Sequence, residues 1–269
     1  MNAGKSWFET LRCDLQKLVE YFLLPFIYPD HFFLLAGLIL RKRALVRELA
    51  HLTSYRLWFT HNKIETVIDV GSYIGAFAFA MQIMRSGVRL YAFEPLEENL
   101  RQLELHLRRF PNCQIFPVAL GNYSGEAEFW RSEFPASSSV LPMGELHKTV
   151  FPHTASQVKE VVRMAKLDEY LSQMAFEGRV LLKLDVQGFE RQVLEGAVET
   201  LKRVDYVLAE VSYQPLYQGQ ALFEDIYEFL RVHGFEYAGN FSSLTSPLDG
   251  TILQSDALFV RRGELFESS

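Results

Sequence analysis

From residue 63 onward, the chain alternates between short apolar runs and longer segments whose apolar positions recur three and four residues apart. An unbroken run such as Val180-Leu181-Leu182 is typical of a strand buried on both faces, and the longer segments are typical of helices that cover a sheet. This alternation predicts an α/β protein with a mostly parallel sheet. The predicted strands are 65–70, 89–94, 114–119, 180–185, 206–211, 235–238 and 257–261, and the predicted helices are 76–85, 96–109, 190–201 and 222–232.

Two stretches depart from this alternation. Residues 1–62 predict a mainly helical N-terminal extension, so we divide the chain into that extension and an α/β domain over 63–269. Residues 130–153 carry few regular signals and include three prolines and the run Ser137-Ser138-Ser139. A long irregular segment of this kind is typical of a functional loop or lid.

Within the extension, the segment 21–40 is apolar, about as long as a membrane span, and followed by Arg41-Lys42-Arg43. Pro25, Pro29 and Asp30 lie inside it, where they would break backbone hydrogen bonds and bury a charge, which disfavours a span. We expect the segment to pack onto the core. A hairpin that contacts a membrane surface or a partner is the alternative, and a true span is the least favoured interpretation.

The composition is that of an ordinary globular protein. Of 269 residues, 49% are hydrophobic and 22% are charged, which excludes a disordered chain, a collagen-like repeat and a multi-span membrane protein. The net charge of −6 gives no sign of a nucleic-acid partner. Cys13 and Cys113 belong to no CxxC pair, so neither a disulfide framework nor a zinc site is expected, and a cytoplasmic location is favoured. An N-terminus that does not resemble a signal peptide agrees with that expectation.

The first candidate site follows the first predicted strand, where ligands bind in open α/β sheets. The segment reads Asp69-Val70-Gly71-Ser72-Tyr73-Ile74-Gly75. A dinucleotide fingerprint needs glycine at 73 and 76, and the bulky Tyr73 disfavours close approach of a pyrophosphate. Glu94 ends the second strand, 23 residues after Gly71, and is placed to accept hydrogen bonds from ribose hydroxyls. Together these features favour adenosine binding, with an NAD(P) oxidoreductase as the weaker alternative.

At this point the sequence resembles the FkbM-type methyltransferases, a family of class I S-adenosylmethionine-dependent methyltransferases. The resemblance extends over most of residues 64–240 and does not include the first sixty. It rests on several motifs in order: Ile68-Asp69-Val70-Gly71-Ser72-Tyr73-Ile74-Gly75, Ala92-Phe93-Glu94-Pro95, Val118-Ala119-Leu120-Gly121-Asn122, Leu167-Asp168-Glu169-Tyr170, Leu182-Lys183-Leu184-Asp185-Val186-Gln187-Gly188-Phe189-Glu190, Val193-Leu194-Glu195-Gly196-Ala197 and Glu210-Val211-Ser212-Tyr213. It implies a Rossmann-like seven-stranded, mostly parallel sheet with an antiparallel last strand, and S-adenosyl-L-methionine as cofactor.

The resemblance also implies roles for individual residues. Gly71 and Gly75 would line the methionine part of the cofactor, Glu94 its ribose, and Ala119 and Leu120 its adenine. The expected cofactor-binding set is completed by Asp69, Ser72, Tyr73, Pro95 and Asp185. Two departures matter: Tyr73 stands where many members carry a small or amide residue, and Gln187 stands where Glu is frequent. The second departure weakens any expectation of a divalent metal at Asp185, and we expect no metal.

Methyl transfer to a hydroxyl requires positioning of the acceptor and removal of a proton. Asp185, at the end of the fourth predicted strand, could hold the cofactor's ammonium group, orient the acceptor or act as base. Lys183 and Glu210 are the other catalytic candidates, although Lys183 could instead form an ion pair with Glu190 or Glu210.

Residues outside the motifs add weaker expectations. His147 and His153 are possible bases carried by the irregular loop, with a surface position the commoner outcome for a histidine there. The aromatic share of 14% fits an aromatic-rich core. Four of its members are expected near the site: Tyr73, Trp130, Tyr213 and Tyr217.

The sequence therefore favours an S-adenosylmethionine-dependent O-methyltransferase that acts on a small molecule, either a sugar or a secondary metabolite. A non-catalytic binding or scaffold protein that retains the fold is the alternative from another class, beside the oxidoreductase.

Overall fold

The strands form at the apolar runs and the helices at the amphipathic segments between them. The computed structural model describes residues 21–39 and 43–263. Its strands are β1 (Ile64–Val70), β2 (Arg89–Phe93), β3 (Cys113–Phe116), β4 (Ala119–Leu120), β5 (Gly125–Ser132), β6 (Gln157–Ala165), β7 (Arg179–Leu184), β8 (Tyr206–Ser212), β9 (Phe235–Thr245) and β10 (Ile252–Arg261). Its helices are α1 (Tyr21–Ile27), α2 (Phe32–Leu38), α3 (Arg43–Thr53), α4 (Arg56–His61), α5 (Ala76–Met84), α6 (Glu97–Leu107), α7 (Glu145–Val150), α8 (Glu190–Glu195), α9 (Val198–Leu201) and α10 (Phe223–Val232).

The main sheet has seven strands in the order β3-β2-β1-β7-β8-β10-β9. β1 pairs in parallel with β2 and β7, and β7 pairs in parallel with β8. β10 inserts antiparallel between β8 and β9. This confirms the predicted α/β class and the seven-stranded, mostly parallel sheet with an antiparallel last strand. The order of strands reverses between β1 and β7, so the carboxyl ends of these two strands flank a crevice.

A second, three-stranded sheet in the order β4-β6-β5 corrects the expectation for residues 114–165. The predicted strand over 114–119 is confirmed as β3 only up to Phe116, because Pro117 has no N–H to donate and separates β3 from β4. The expectation that 130–153 is irregular is also partly wrong, since the segment contains the end of β5 and all of α7. β6 was not predicted at all.

Two further elements differ from their predicted bounds. The predicted helix over 190–201 is divided into α8 and α9 at Gly196, where an added Cβ would lie 1.9 Å from the Gly121 carbonyl oxygen. β9 and β10 are longer than the predicted 235–238 and 257–261, because Ser242 and Asp256 interrupt the apolar pattern without ending either strand.

Helices cover both faces of the main sheet and bury two apolar clusters. α3 and α5 pack together on one face, where Leu49 and Phe79 are fully or almost fully buried. α8 and α10 cover the other face through Val193 and Leu230. Burial on both faces explains why β1, β7 and β8 are nearly continuous in apolar residues.

The extension packs on the first of these clusters through one side of its helices. Leu24, Tyr28, Leu35 and Ile39 are buried there, and the Tyr28 hydroxyl lies 3.0 Å from the Thr53 hydroxyl. The expectation that 21–40 packs onto the core is therefore confirmed for one side of α1 and α2. None of the helices in the described part of the chain is long and apolar enough to cross a membrane alone; Tyr21–Ile27 and Pro29–Leu38 have the length only as a pair bent by 110°.

Candidate active site

A cleft opens where β1, β2 and β7 end, beside the switch point of the sheet. It encloses about 690 Å³ of space, part of it open to solvent. Its walls are mostly apolar and come from both sheets: Val70, Phe93, Leu96, Val118, Ala119, Leu120, Phe129, Val140, Val186 and Phe189. A few polar groups converge on it: Tyr73, Glu94, Asn99, Ser138, Asp185 and Gln187. An apolar cleft with few convergent polar groups is the usual form of a small-molecule site.

Glu94 is the most firmly held polar group of the cleft. Its side chain is at the end of β2 and the residue is only 4% exposed. Oε2 accepts the Tyr73 N–H at 3.0 Å, and Oε1 accepts the Leu96 N–H at 2.8 Å and the Asn99 amide at 3.1 Å. Burial raises the pKa of Glu94 to about 7, although these three donors oppose the shift. A carboxylate has about four acceptor positions, so capacity remains for a further donor.

The turn after β1 positions Tyr73 and Glu94 against each other. Gly71 has φ +78°, and an added Cβ there would lie 1.9 Å from the Asp185 carbonyl oxygen. Glycine is therefore required by the close approach of β1 to the chain after β7. Tyr73 also has a positive φ, +49°, which turns its N–H toward Glu94 and its side chain into the cleft. Gly71 and Tyr73 thus both line the cleft.

Lys183 lies beneath the cleft between two carboxylates. Its Nζ is 3.5 Å from Asp69 Oδ1 and 3.2 Å from Asp185 Oδ2. The predicted ion pair of Lys183 with Glu190 or Glu210 is wrong, because the register of β1 and β7 sets Lys183 opposite Asp69. Burial alone would lower the pKa of the Lys183 ammonium, but the surrounding carboxylates, led by Asp185 and Asp69, raise it above its usual value. Lys183 is therefore a cation at neutral pH and cannot accept a proton.

Gln187 connects the cleft to the carboxylates behind it. With φ +58°, its side-chain amide donates to Asp185 Oδ1 and to Glu210 Oε2, both at 2.8 Å. Its amide oxygen accepts the Tyr217 hydroxyl at 2.8 Å. Burial, followed by repulsion from Asp185, raises the pKa of Glu210 well above its ordinary value. Glu210 also accepts a hydrogen bond from the Gln254 amide at 2.9 Å, so it holds Gln187 in place.

The extension also reaches this group of charges. Glu48 on α3 interacts electrostatically with Lys183, Asp256 and Asp185, and burial raises the pKa of Glu48. Asp256 on β10 lies opposite Glu210 in the strand register and accepts a hydrogen bond from Ser242. Several carboxylates thus surround one ammonium at the carboxyl ends of β7 and β8.

The structure brings most of the sequence-predicted residues to one place. Seven of them line the cleft: Gly71, Tyr73, Glu94, Pro95, Ala119, Leu120 and Asp185. Asp69, Lys183 and Glu210 lie behind it, within the network of charges. The remaining two, Ser72 and Gly75, do not line the cleft. The Ser72 hydroxyl donates to the Asp69 carbonyl, and Gly75 packs against Leu103 of α6.

Other expectations about the surroundings of the site are corrected. Of the four aromatic residues expected there, only Tyr73 lines the cleft, and Tyr217 reaches it through Gln187. His147 is buried rather than on the surface, with its ring centroid 5.1 Å from that of Tyr217. Burial lowers the pKa of His147 to about 4, so it is neutral at physiological pH. His153 is exposed, as expected for a loop histidine.

Several residues of the site were missed from the sequence. Asn99 follows the Phe93-Glu94-Pro95 corner by one helical turn, a spacing that could have indicated it. Phe129 and Val140 come from the second sheet and its loop, for which the sequence has no clear periodic signal. Within residues 21–39 and 43–263, no group of three or more His, Cys, Asp or Glu side chains is arranged to hold a metal ion.

The sequence of this chain is similar to those of known methyltransferases. The sequence model of the methyltransferase FkbM domain matches residues 69–237, well over half of the chain. The chain belongs to this family. The match begins at the end of β1, reaches the first residues of β9 and includes every cleft residue named above.

Two known proteins are similar to this chain. The 2-O-methyltransferase NoeI of Sinorhizobium fredii is 26% identical over 172 residues, which cover 61% of this chain and 70% of that protein. The hexuronic acid methyltransferase AglP of Haloferax volcanii is 26% identical over 144 residues, covering 53% of this chain and 54% of that protein. Among solved structures, methyltransferase FkbM from Methylobacillus flagellatus is 11% identical with a TM-score of 0.44, covering 87% of this chain and 60% of that chain. Membership of the FkbM methyltransferase family, shown by the match over 69–237, disfavours the oxidoreductase alternative.

Proposed function

We propose that the protein is an S-adenosylmethionine-dependent O-methyltransferase that acts on a hydroxyl group of a sugar. The observation that carries this proposal is the Glu94 carboxylate, held by three donors at the end of β2 beside an apolar cleft. This is the arrangement that an adenosine requires: a fixed acceptor for the ribose hydroxyls and an apolar slot for the base.

The residues of the cleft fit S-adenosylmethionine along its length. Glu94 would accept from the ribose hydroxyls, because its oxygens keep acceptor capacity after the three protein donors are counted. Ala119, Leu120 and Phe189 would contact the adenine, since they form an apolar wall on the side of β4. Gly71 borders the opposite part of the cleft, where its lack of a side chain leaves room for the methionine part of the cofactor. When bound, the cofactor supplies an activated methyl group on a sulfonium.

Asp185 is the residue we assign to the acceptor hydroxyl. Its side chain is 35% exposed, and two donors fix it: Lys183 at 3.2 Å and Gln187 at 2.8 Å. A carboxylate held in this way can accept the proton of a hydroxyl at the cleft, a contribution of about 10²–10⁴-fold to the rate. Lys183 and Glu210 act as positioning residues, because they do not line the cleft but hold Asp185 and Gln187.

The acceptor class is inferred from the similar proteins. The name of NoeI states transfer to an oxygen, and that of AglP states a hexuronic acid as substrate. Together they support a hydroxyl of a sugar over a nitrogen acceptor. A hydroxyl on a secondary metabolite uses the same chemistry and is the second class to test.

Incubation of the protein with S-adenosylmethionine and a panel of hexoses and hexuronic acids tests this proposal. We expect a product heavier by one methylene unit with a sugar, and no product with the matching deoxy sugar. Asp185→Asn should lower kcat about 10²–10⁴-fold. Glu97→Gln, in an exposed surface pair with Arg101, should leave kcat unchanged. Methylation of a nitrogen, or an unchanged kcat in Asp185→Asn, would contradict the proposal.

A further inference from the structure

Six large apolar side chains are exposed on the side of α1 and α2 that faces away from the core. Phe26 and Phe33 are 71% and 90% exposed. We call the six residues the hairpin face: Phe22, Leu23, Phe26, Ile27, Phe32 and Phe33. Aromatic side chains each bury about 150–250 Å² when they find a partner, so four exposed phenylalanines in one patch are unusual for a monomer.

The opposite side of the same helices holds the hairpin face against the core. Leu24, Tyr28 and Leu35 are buried in the core, and the Tyr28 hydroxyl bonds to Thr53. On the exposed side, Phe32 packs edge-to-face against both Phe26 and Phe33, with ring centroids 5.5 Å apart in each pair. The helices that carry the apolar surface are therefore packed on the core through their other side.

Basic residues adjoin the hairpin face in the sequence. Arg41, Lys42 and Arg43 follow it directly in the sequence, and Arg109 lines a surface depression together with Phe32 and Phe33. Residues 1–62 contain eight Lys and Arg against five Asp and Glu, whereas residues 63–269 contain nineteen against twenty-eight. Positive charge is thus concentrated in the part of the sequence that contains the hairpin face, in a protein that is acidic elsewhere.

An anionic lipid surface fits both features at once. Apolar side chains enter the boundary between headgroups and acyl chains, and basic side chains contact lipid phosphates, each contributing about 1 kcal/mol near an anionic surface. A second copy of this chain fits less well, because a two-fold contact would bring the same basic residues together.

The geometry of the hairpin favours contact with a membrane surface over a span. α1 and the Pro29–Leu38 segment are bent by 110°, and each is far shorter than the roughly 20 residues that a span requires. The surface depression at the hairpin also contains Gly87 and Asn112, which precede β2 and β3. The hairpin tip is therefore near the amino ends of these strands, opposite the cleft at their carboxyl ends.

We propose that the hairpin face is a peripheral membrane anchor, which docks on anionic bilayers through its four phenylalanines and the adjacent basic residues. Because the hairpin tip and the cleft lie at opposite ends of the sheet, docking leaves the cleft accessible. Binding should strengthen with the anionic lipid content and weaken with added salt.

Co-sedimentation of the full chain with phosphatidylcholine vesicles, with and without phosphatidylserine, tests this anchor. We expect binding to the phosphatidylserine vesicles and at least tenfold weaker partitioning for the double variant Phe26→Ser/Phe33→Ser. The triple variant Arg41→Gln/Lys42→Gln/Arg43→Gln should lose the preference for phosphatidylserine. Val232→Ser on α10, which is 74% exposed but far from the hairpin in the chain, is the matched control and should bind like the wild type.

Two outcomes would overturn the anchor. The first is absence of vesicle binding by a wild-type protein that retains its affinity for S-adenosylhomocysteine. The second is a dimer, seen by sedimentation velocity, that is lost in Phe26→Ser/Phe33→Ser while vesicle binding is unaffected; this would assign the face to a protein contact. Thermal unfolding of each variant shows whether it is folded, so that a loss of binding is read from intact protein.

Discussion

Replacement of Lys183 by methionine removes the ammonium group that lies between Asp69 and Asp185 while it keeps most of the side-chain length. Lys183 is 11% exposed and lies 3.5 Å from Asp69, whose side chain is fully buried. Within the described residues, neither carboxylate oxygen of Asp69 accepts a hydrogen bond. Lys183 is therefore the main compensation for the Asp69 charge. A methionine can keep the contact with the Phe77 ring, whose centroid is 5.1 Å from Lys183 Nζ.

The free energy of unfolding that Lys183→Met should lose follows from this burial. Removal of one partner from a buried ion pair costs about 3–5 kcal/mol, because the other charge stays buried without compensation. An exposed pair such as Arg101–Glu97 contributes far less, so Arg101→Met is a matched control that should change little. The double variant Asp69→Asn/Lys183→Met removes the uncompensated charge and should recover most of the lost free energy of unfolding.

The free energy of unfolding lost in Lys183→Met should depend on pH. Burial already raises the pKa of Asp69 in the wild type, and loss of the Lys183 ammonium raises it further. A carboxyl whose pKa is higher in the folded than in the unfolded state contributes stability below the unfolded pKa and loses it as the pH rises through the folded pKa. The variant should therefore be closer to the wild type at about pH 5 than at about pH 8. Urea unfolding followed by circular dichroism at both pH values measures this; a deficit below about 1 kcal/mol that is equal at both would refute the reasoning.

Three other expectations follow from the structure. Burial raises the pKa of Glu94 to about 7. Affinity for S-adenosylhomocysteine should therefore increase up to about tenfold per pH unit as the pH rises toward 7, and then level off. Calorimetry should show an affinity that does not change with pH for Glu94→Gln. Tyr217→Phe removes the hydroxyl that donates to the Gln187 amide oxygen, so Gln187 loses its orientation beside Asp185. This variant should lower kcat with little change in cofactor affinity. An equal loss in kcat and in cofactor affinity would contradict this role. Gly37 lies in α2, and an added Cβ there would meet nothing within 4 Å. Gly37→Ala should therefore raise the free energy of unfolding by about 0.5–1 kcal/mol, measured by urea titration. A decrease would count against the helix at this position.

The strands that form the site were predictable because burial on both faces leaves a continuous apolar run. β1, β2, β7 and β8 carry such runs, and their ends bring Gly71, Glu94 and Asp185 together. β6 gives no comparable signal, because its outer positions mix exposed valines with charged residues. The second sheet was missed for that reason, and with it the part of the cleft wall that Phe129 supplies.

The connections between charges could not be derived from the sequence for a different reason. Lys183 pairs with Asp69 because the register of β1 and β7 sets them opposite each other, and register is a property of the assembled sheet. Gln187 bridges Asp185 and Glu210 only because its backbone has a positive φ, which non-glycine residues seldom adopt. Both facts depend on tertiary packing, which local patterns do not encode.

In the proposed function, the Glu94 carboxylate holds a nucleoside cofactor at the end of β2. Isothermal titration of the wild type, Glu94→Gln and Glu97→Gln with S-adenosylhomocysteine tests it most directly. Hydrogen bonds to a charged group contribute about 1.5–3 kcal/mol, so Glu94→Gln should weaken binding about 10- to 100-fold above pH 7, while Glu97→Gln binds like the wild type. Absence of binding to the wild type, or equal affinity in Glu94→Gln with unchanged thermal unfolding, would contradict the account.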